Sequence, residues 1–142
     1  ALSTDVIVAF PGETDDEYGE TLALMERVRF DEAYLYKYSL RDGTPATRLP
    51  EADFVEDEIG SARLERLIGL QRGIQREIAE SEVGETREVL IEREARSDGD
   101  MLGRTEHNKV VAFPEIADSI GRYRKVRLTG TTGATFMGVA CD

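Results

Sequence analysis

Thr4-Asp5-Val6-Ile7-Val8-Ala9-Phe10, followed at once by Pro11-Gly12-Glu13-Thr14, is a strand running straight into a helix start. Residues 4–10 are largely β-branched and apolar at both parities. That pattern predicts a strand buried on both faces, as in a parallel sheet. Pro11-Gly12 ends it. Thr14 and Glu17 have capping-box spacing, and Asp15 and Asp16 place negative charge where a helix N-terminus favours it. The helix reaches about Val28, with Tyr18, Leu22, Met25 and Val28 on one stripe.

A second strand is predicted over 33–39, with Tyr34, Tyr36 and Tyr38 on one face. Turn residues in Arg41-Asp42-Gly43-Thr44-Pro45 close it. A long helix follows over about 55–80. Its apolar positions Ile59, Leu64, Leu67, Ile68, Ile74 and Ile78 recur at helical spacing. Strand, helix, strand, helix is a βαβα unit. Two parallel strands make no stable sheet alone, so residues 1–82 read as a piece of a larger β/α barrel or open sheet. Its bare strand edges would allow self-association.

From Val83 the period becomes that of strands. Segments 86–92, 101–105, 108–113, 123–129 and 136–141 are separated by Gly84, Gly99, Gly121, Gly130 and Gly133. Five short strands over 83–142 predict a small antiparallel β-barrel of oligonucleotide-binding size. The fold class is therefore α/β followed by β.

Composition narrows the functional classes. The 142 residues suffice for one domain or two small ones. The longest apolar run, Val6 to Phe10, is far short of a membrane span. No leader pattern is visible, and the expected location is cytoplasmic, with no membrane partner. A single cysteine, Cys141, cannot form an internal disulfide or a cysteine-rich metal site. The net charge is −11, with 15 arginines and only 3 lysines. Abundant carboxylates with few lysines suit high salt; acidic drift is the other reading. Residues 1–81 hold 18 acidic and 9 basic groups, whereas 82–142 hold 11 and 9. That step separates two modules with different partners.

Two clusters sit at the carboxyl ends of the predicted parallel strands, where β/α barrels bind ligands. Phe10-Pro11-Gly12-Glu13-Thr14 opens a helix and is read either as an anion-binding turn or as a capped turn alone. Tyr36-Lys37-Tyr38-Ser39 with Arg41 offers cations and stacking rings, or a capped strand with structural tyrosines. A third cluster, Gly103-Arg104-Thr105-Glu106-His107-Asn108-Lys109, precedes Arg122, Arg124, Lys125 and Arg127. It forms a nucleic-acid groove or a solvated face. Arg124 and Lys125 are adjacent and point to opposite faces, so only one alternating set lines any surface.

These segments together resemble the tRNA methylthiotransferases, radical S-adenosylmethionine enzymes. Residues 4–14 look like that family's T-D-x-I-V-G-F-P-G-E-T, and residues 38–46 match its Y-S-x-R-x-G-T-x-A. Residues 64–78 have the look of its arginine- and leucine-rich helix, and 83–142 of its TRAM domain, a small RNA-binding β-barrel. Gly103-Arg104-Thr105-Glu106-x-Asn108-Lys109-Val110-Val111-x-Phe113 resembles the tRNA-modifying branch, most closely the enzymes that act on isopentenyladenosine beside the anticodon. Alternatives are a threonylcarbamoyladenosine tRNA substrate, a ribosomal protein substrate, or a non-catalytic RNA-binding module. The resemblance implies S-adenosylmethionine and two 4Fe-4S clusters in a full-length parent. None is expected on this chain, which lacks the cluster cysteines and should be inactive alone. The implied partners are a tRNA anticodon stem-loop and the N-terminal part of the same polypeptide.

Carried over by residue, Phe10, Gly12 and Glu13 would lie near S-adenosylmethionine. Tyr38, Ser39 and Arg41 would lie near that cofactor or the target base. Arg104, Asn108 and Lys109 would meet tRNA; Arg122 and Arg124, on the neighbouring strand, are RNA-binding candidates by their charge rather than by the resemblance. Ala9 stands where the family has glycine, and Leu40 and Asp42 where prolines are common. Phe136-Met137-Gly138 replaces Leu-Arg-Gly.

Overall fold

The computed structural model describes residues 1–96 and 99–141. They form two compact units, Ala1–Ile74 and Gln75–Asp142. In the first, β1 (Ser3–Val8) pairs in parallel with β2 (Glu32–Lys37), in register from Ser3↔Glu32 to Val8↔Lys37. Between them runs α1 (Asp15–Val28). Its capping box is formed: the Thr14 hydroxyl accepts from the Glu17 N–H, and the Glu17 carboxylate accepts from the Thr14 N–H at 2.8 Å. Arg29 stops the helix in the left-handed region, and its N–H bonds the Met25 carbonyl. The helix α2 (Asp57–Glu82) follows two short 3-10 turns.

Burial follows the stripes. Val8, Tyr18, Leu22, Met25 and Leu67 form a closed cluster, with Val6, Ala33, Leu35 and Leu64 packed on it. Each fully buried aliphatic side chain there stabilises by roughly 1.5–3 kcal/mol. The expectation that β1 is covered on both faces fails. Ile7 is 55% exposed, and Tyr34 and Tyr36 of the same face are equally open. The helices cover one face of this two-stranded sheet; no further element of this unit covers the other.

The second unit is a closed barrel in the order β3-β4-β5-β7-β6. Its strands are β3 (Thr86–Glu94), β4 (Asp100–Thr105), β5 (Val110–Pro114), β6 (Tyr123–Thr131) and β7 (Thr135–Cys141). The expected count and closure are present. The expected all-antiparallel pairing is corrected at one seam: β5 and β7 run parallel, in register Val110↔Thr135 to Ala112↔Met137. β6 lies between them in sequence and pairs antiparallel to β7, so β7 returns in the direction of β5. Val89, Ile91, Met101, Val111, Phe113, Val126, Leu128 and Phe136 fill the interior, and Ala79 of α2 joins them. Ala79 lies on the last turns of α2, within the unit that begins at Gln75.

Candidate functional site

At the end of β1 the chain leaves the extended region. Ala9 has φ +59° and is buried. An L-residue in that conformation costs roughly 1–2 kcal/mol, which explains glycine in the resembling motif. The bend is held by Glu13. Its Oε1 accepts from the Ala9 N–H at 2.8 Å and from Arg63 Nη1 at 2.7 Å. Arg63 also donates to the Glu13 carbonyl and to Asp15 Oδ1. Phe10-Pro11-Gly12-Glu13 is a type II turn. Pro11 occupies its second position, Gly12 its third at φ +88°, and the Glu13 N–H closes it on the Phe10 carbonyl at 2.9 Å. The Gly12 N–H reaches the Asp53 carbonyl at 2.6 Å. Glu13, 11% exposed, thus faces back into the fold, and its Oε1 is committed there.

Phe10 and Tyr38 do meet. Their rings are 5.1 Å apart, edge to face, and Phe54 flanks Tyr38 at 6.4 Å. The Tyr38 hydroxyl is buried without a hydrogen-bond partner among the described residues. A small cavity of about 130 Å³ lies beside it, lined by Ala9, Lys37, Phe54, Asp57 and Gly60 among others. Lys37 bonds Asp57 at 2.5 Å and Ser61 at 3.1 Å. Ser39 and Arg41 lie exposed on the loop beyond β2, where the Arg41 carbonyl caps Thr44. Phe54 and Gly60 were not legible as neighbours of this site. A Cβ on Gly60 would stand 3.0 Å from that of Ala9, a contact across fifty residues of chain.

In the barrel unit, β4 and β5 join through a tight turn. The Thr105 hydroxyl accepts from the His107 and Lys109 N–H groups, and Asn108 sits at φ +61°. Arg104 bonds the Asn108 carbonyl and side chain at 3.1 and 3.0 Å, and Glu92 at 3.2 Å. Arg104 and Asn108 are therefore brought together. Lys109 turns inward: its Nζ pairs with Glu82 at 2.5 Å and lies 6.0 Å from the centre of the Phe136 ring. Glu82 also receives Arg87, which reaches Glu85 and Glu106 as well.

Arg122 is exposed in the turn before β6. Arg124 bonds Glu115 at 2.8 Å. The Ile116 N–H, and then Arg124, hold the Glu115 carboxyl below its ordinary range. Val126 and Leu128 point into the core, which sets the alternation of β6. Arg124 shares their parity, whereas Tyr123, Lys125 and Arg127 share the outward one. Met137, at the position of the family's arginine, is also outward and exposed.

Iron–sulfur clusters do not fit the residues present. The chain has one cysteine, and no group of three His, Cys, Asp or Glu side chains among the described residues is placed to hold a metal. No described helix is long and apolar enough to cross a membrane.

The TRAM domain family model matches residues 80–138. Along its whole length the chain is similar to curated proteins named tRNA-2-methylthio-N(6)-dimethylallyladenosine synthase. The one from Chlorobium limicola is 43% identical over 100% of this chain and 32% of its own length. The Chlorobaculum tepidum protein is 45% identical over 99% and 32%. A Thermoanaerobacter protein is 46% identical over 97% and 29%. The chain spans about a third of the length of these relatives and corresponds to their C-terminal part.

Proposed function

We propose that this chain is the C-terminal part of a tRNA methylthiotransferase acting on dimethylallyladenosine, also called isopentenyladenosine, beside the anticodon. The observation that carries this reading is continuity. A single alignment runs through both the strand-end motifs and the barrel, at 43–46% identity. A lone RNA-binding module would account for the barrel and leave the first unit without a purpose.

In this reading the open face of β1 and β2, with Ile7, Tyr34 and Tyr36, is covered by the upstream two-thirds of the polypeptide. Those strands would complete a β/α barrel, and the upstream part would hold the clusters. S-adenosylmethionine, when bound, supplies radical chemistry to such an enzyme. The orphaned Tyr38 hydroxyl suits a ligand at the strand ends, because a buried donor without a partner is costly. Phe10, Gly12 and Tyr38 would line that ligand, with Ser39 and Arg41 reaching it from the loop. Glu13 and Arg63 act beneath them, holding the turn in shape. The second unit grips tRNA.

Nucleoside mass spectrometry tests the reading. Disruption of the gene should abolish the methylthio-dimethylallyladenosine peak and leave dimethylallyladenosine in its place. An unchanged peak would reject the substrate. Loss of a methylthio-threonylcarbamoyladenosine peak would move the chain to the related branch.

A further inference from the structure

Resting on the RNA-binding reading of the barrel, we propose that single-stranded loop nucleotides are gripped on the outward face of β6 and β7. Tyr123 would stack on a base while Lys125 and Arg127 contact phosphates. In a chain of net charge −11, a cation serves RNA best when no carboxylate of its own protein already neutralises it. In the barrel unit Arg87, Arg104, Lys109 and Arg124 all engage carboxylates. Lys125 and Arg127 are exposed and make no ion pair among the described residues.

Alternation aligns them. Tyr123, Lys125 and Arg127 occupy every second position on the face opposite Val126 and Leu128, with Cα atoms roughly 6.6 Å apart. Across the ladder, Lys125 faces Cys141 and Arg127 faces Val139. Val139 and the nearby Met137 are exposed, giving the cations an apolar flank. Tyr123 is 63% exposed and packs on no other ring among the described residues. Glu88 stands opposite Lys125 on β3 without an ion pair between them, so two cations oppose one carboxylate here. An exposed ring beside cations on a sheet suits unstacked bases, because every base offers a π-face.

The test is fluorescence anisotropy of a fluorescein-labelled anticodon stem-loop RNA, titrated with the whole 142-residue chain at several salt concentrations. All three positions are exposed, and circular dichroism checks that each variant folds. The K125S/R127S double variant should weaken binding at least tenfold and flatten the log–log salt slope by about 1.4. Tyr123→Ala should weaken binding roughly five- to hundredfold with the slope unchanged. A charge-matched R27S/R72S variant should stay within twofold of the parent chain. A folded K125S/R127S with parental affinity and slope overturns this face and leaves the RNA reading standing. Equal losses in the charge-matched variant also overturn it, since net charge alone would then explain the effect. No binding by the parent chain at low salt overturns both.

Discussion

Replacing Lys109 separates a structural cation from an RNA contact. The Lys109–Glu82 pair is 2.5 Å long, with side chains only 17% and 10% exposed. At an effective dielectric of about 20, charges at that separation attract by roughly 7 kcal/mol before desolvation is subtracted. Breaking a fully buried pair by deleting one partner typically costs about 3–5 kcal/mol. Here the residual exposure lowers that figure, and Arg87, 3.2 Å from Glu82, keeps the carboxylate from being stranded. Lys109→Met should therefore destabilise the barrel by about 2–3 kcal/mol. Urea unfolding followed by circular dichroism would read this as a midpoint lowered by roughly 1 M. The salt slope of RNA binding should not change. An unmoved midpoint with a slope reduced by about 0.7–0.9 would refute the reasoning and make Lys109 a phosphate contact.

Gly103→Ala should destabilise the barrel by at least about 2 kcal/mol, because the new Cβ would stand 2.5 Å from the Leu90 carbonyl oxygen and crowd Val89. Thermal unfolding checks it; a shift of under two degrees would show that the strands part without cost. Ala9→Gly should change stability by less than about 1 kcal/mol in the favourable direction, since relief of the φ +59° strain outweighs the added backbone entropy. A clear loss by the same assay would mean that the Ala9 Cβ packing against Gly60 dominates. Thr14→Ala should cost about 1 kcal/mol through the lost cap. The Thr14 backbone N–H, and then its hydroxyl, hold the Glu17 carboxyl below its ordinary range. The stabilisation is present above the ordinary carboxylate pKa and is lost as pH falls through the lowered folded value. Carboxyl NMR titration should find Glu17 moved part of the way back in Thr14→Ala; no movement would contradict the capping account.

Local signals were legible and long-range ones were not. The capping box, the Pro11-Gly12 turn and the Tyr18, Leu22, Met25 stripe follow from near neighbours, and the structure has them where the spacing puts them. The five barrel strands followed from period-two alternation and glycine punctuation. The parallel β5–β7 seam did not, because strand direction in a barrel is set by connections that no local pattern encodes. Coverage of β1 was misjudged for a related reason: apolar residues at both parities say which faces seek burial, not whether a neighbour arrives. In the candidate sites, Phe10 and Tyr38 are brought together as ends of paired strands. The commitment of Glu13 to Arg63, and of Lys109 to Glu82, joins residues 50 and 27 positions apart. Charge counting cannot see such pairs. Which alternating set on β6 faces out depended on Val126 and Leu128 filling the interior, a fact of packing.

The central claim, that the barrel of this chain grips tRNA by its uncommitted cations, is tested most directly by the salt dependence of anticodon stem-loop binding. With Arg122, Lys125 and Arg127 as phosphate contacts, the log–log slope should lie between about −2 and −3. Circular dichroism at each salt concentration would verify folding in so acidic a chain. A folded chain that fails to bind at low salt, or whose affinity is indifferent to salt, would contradict the account and move tRNA recognition to the upstream polypeptide.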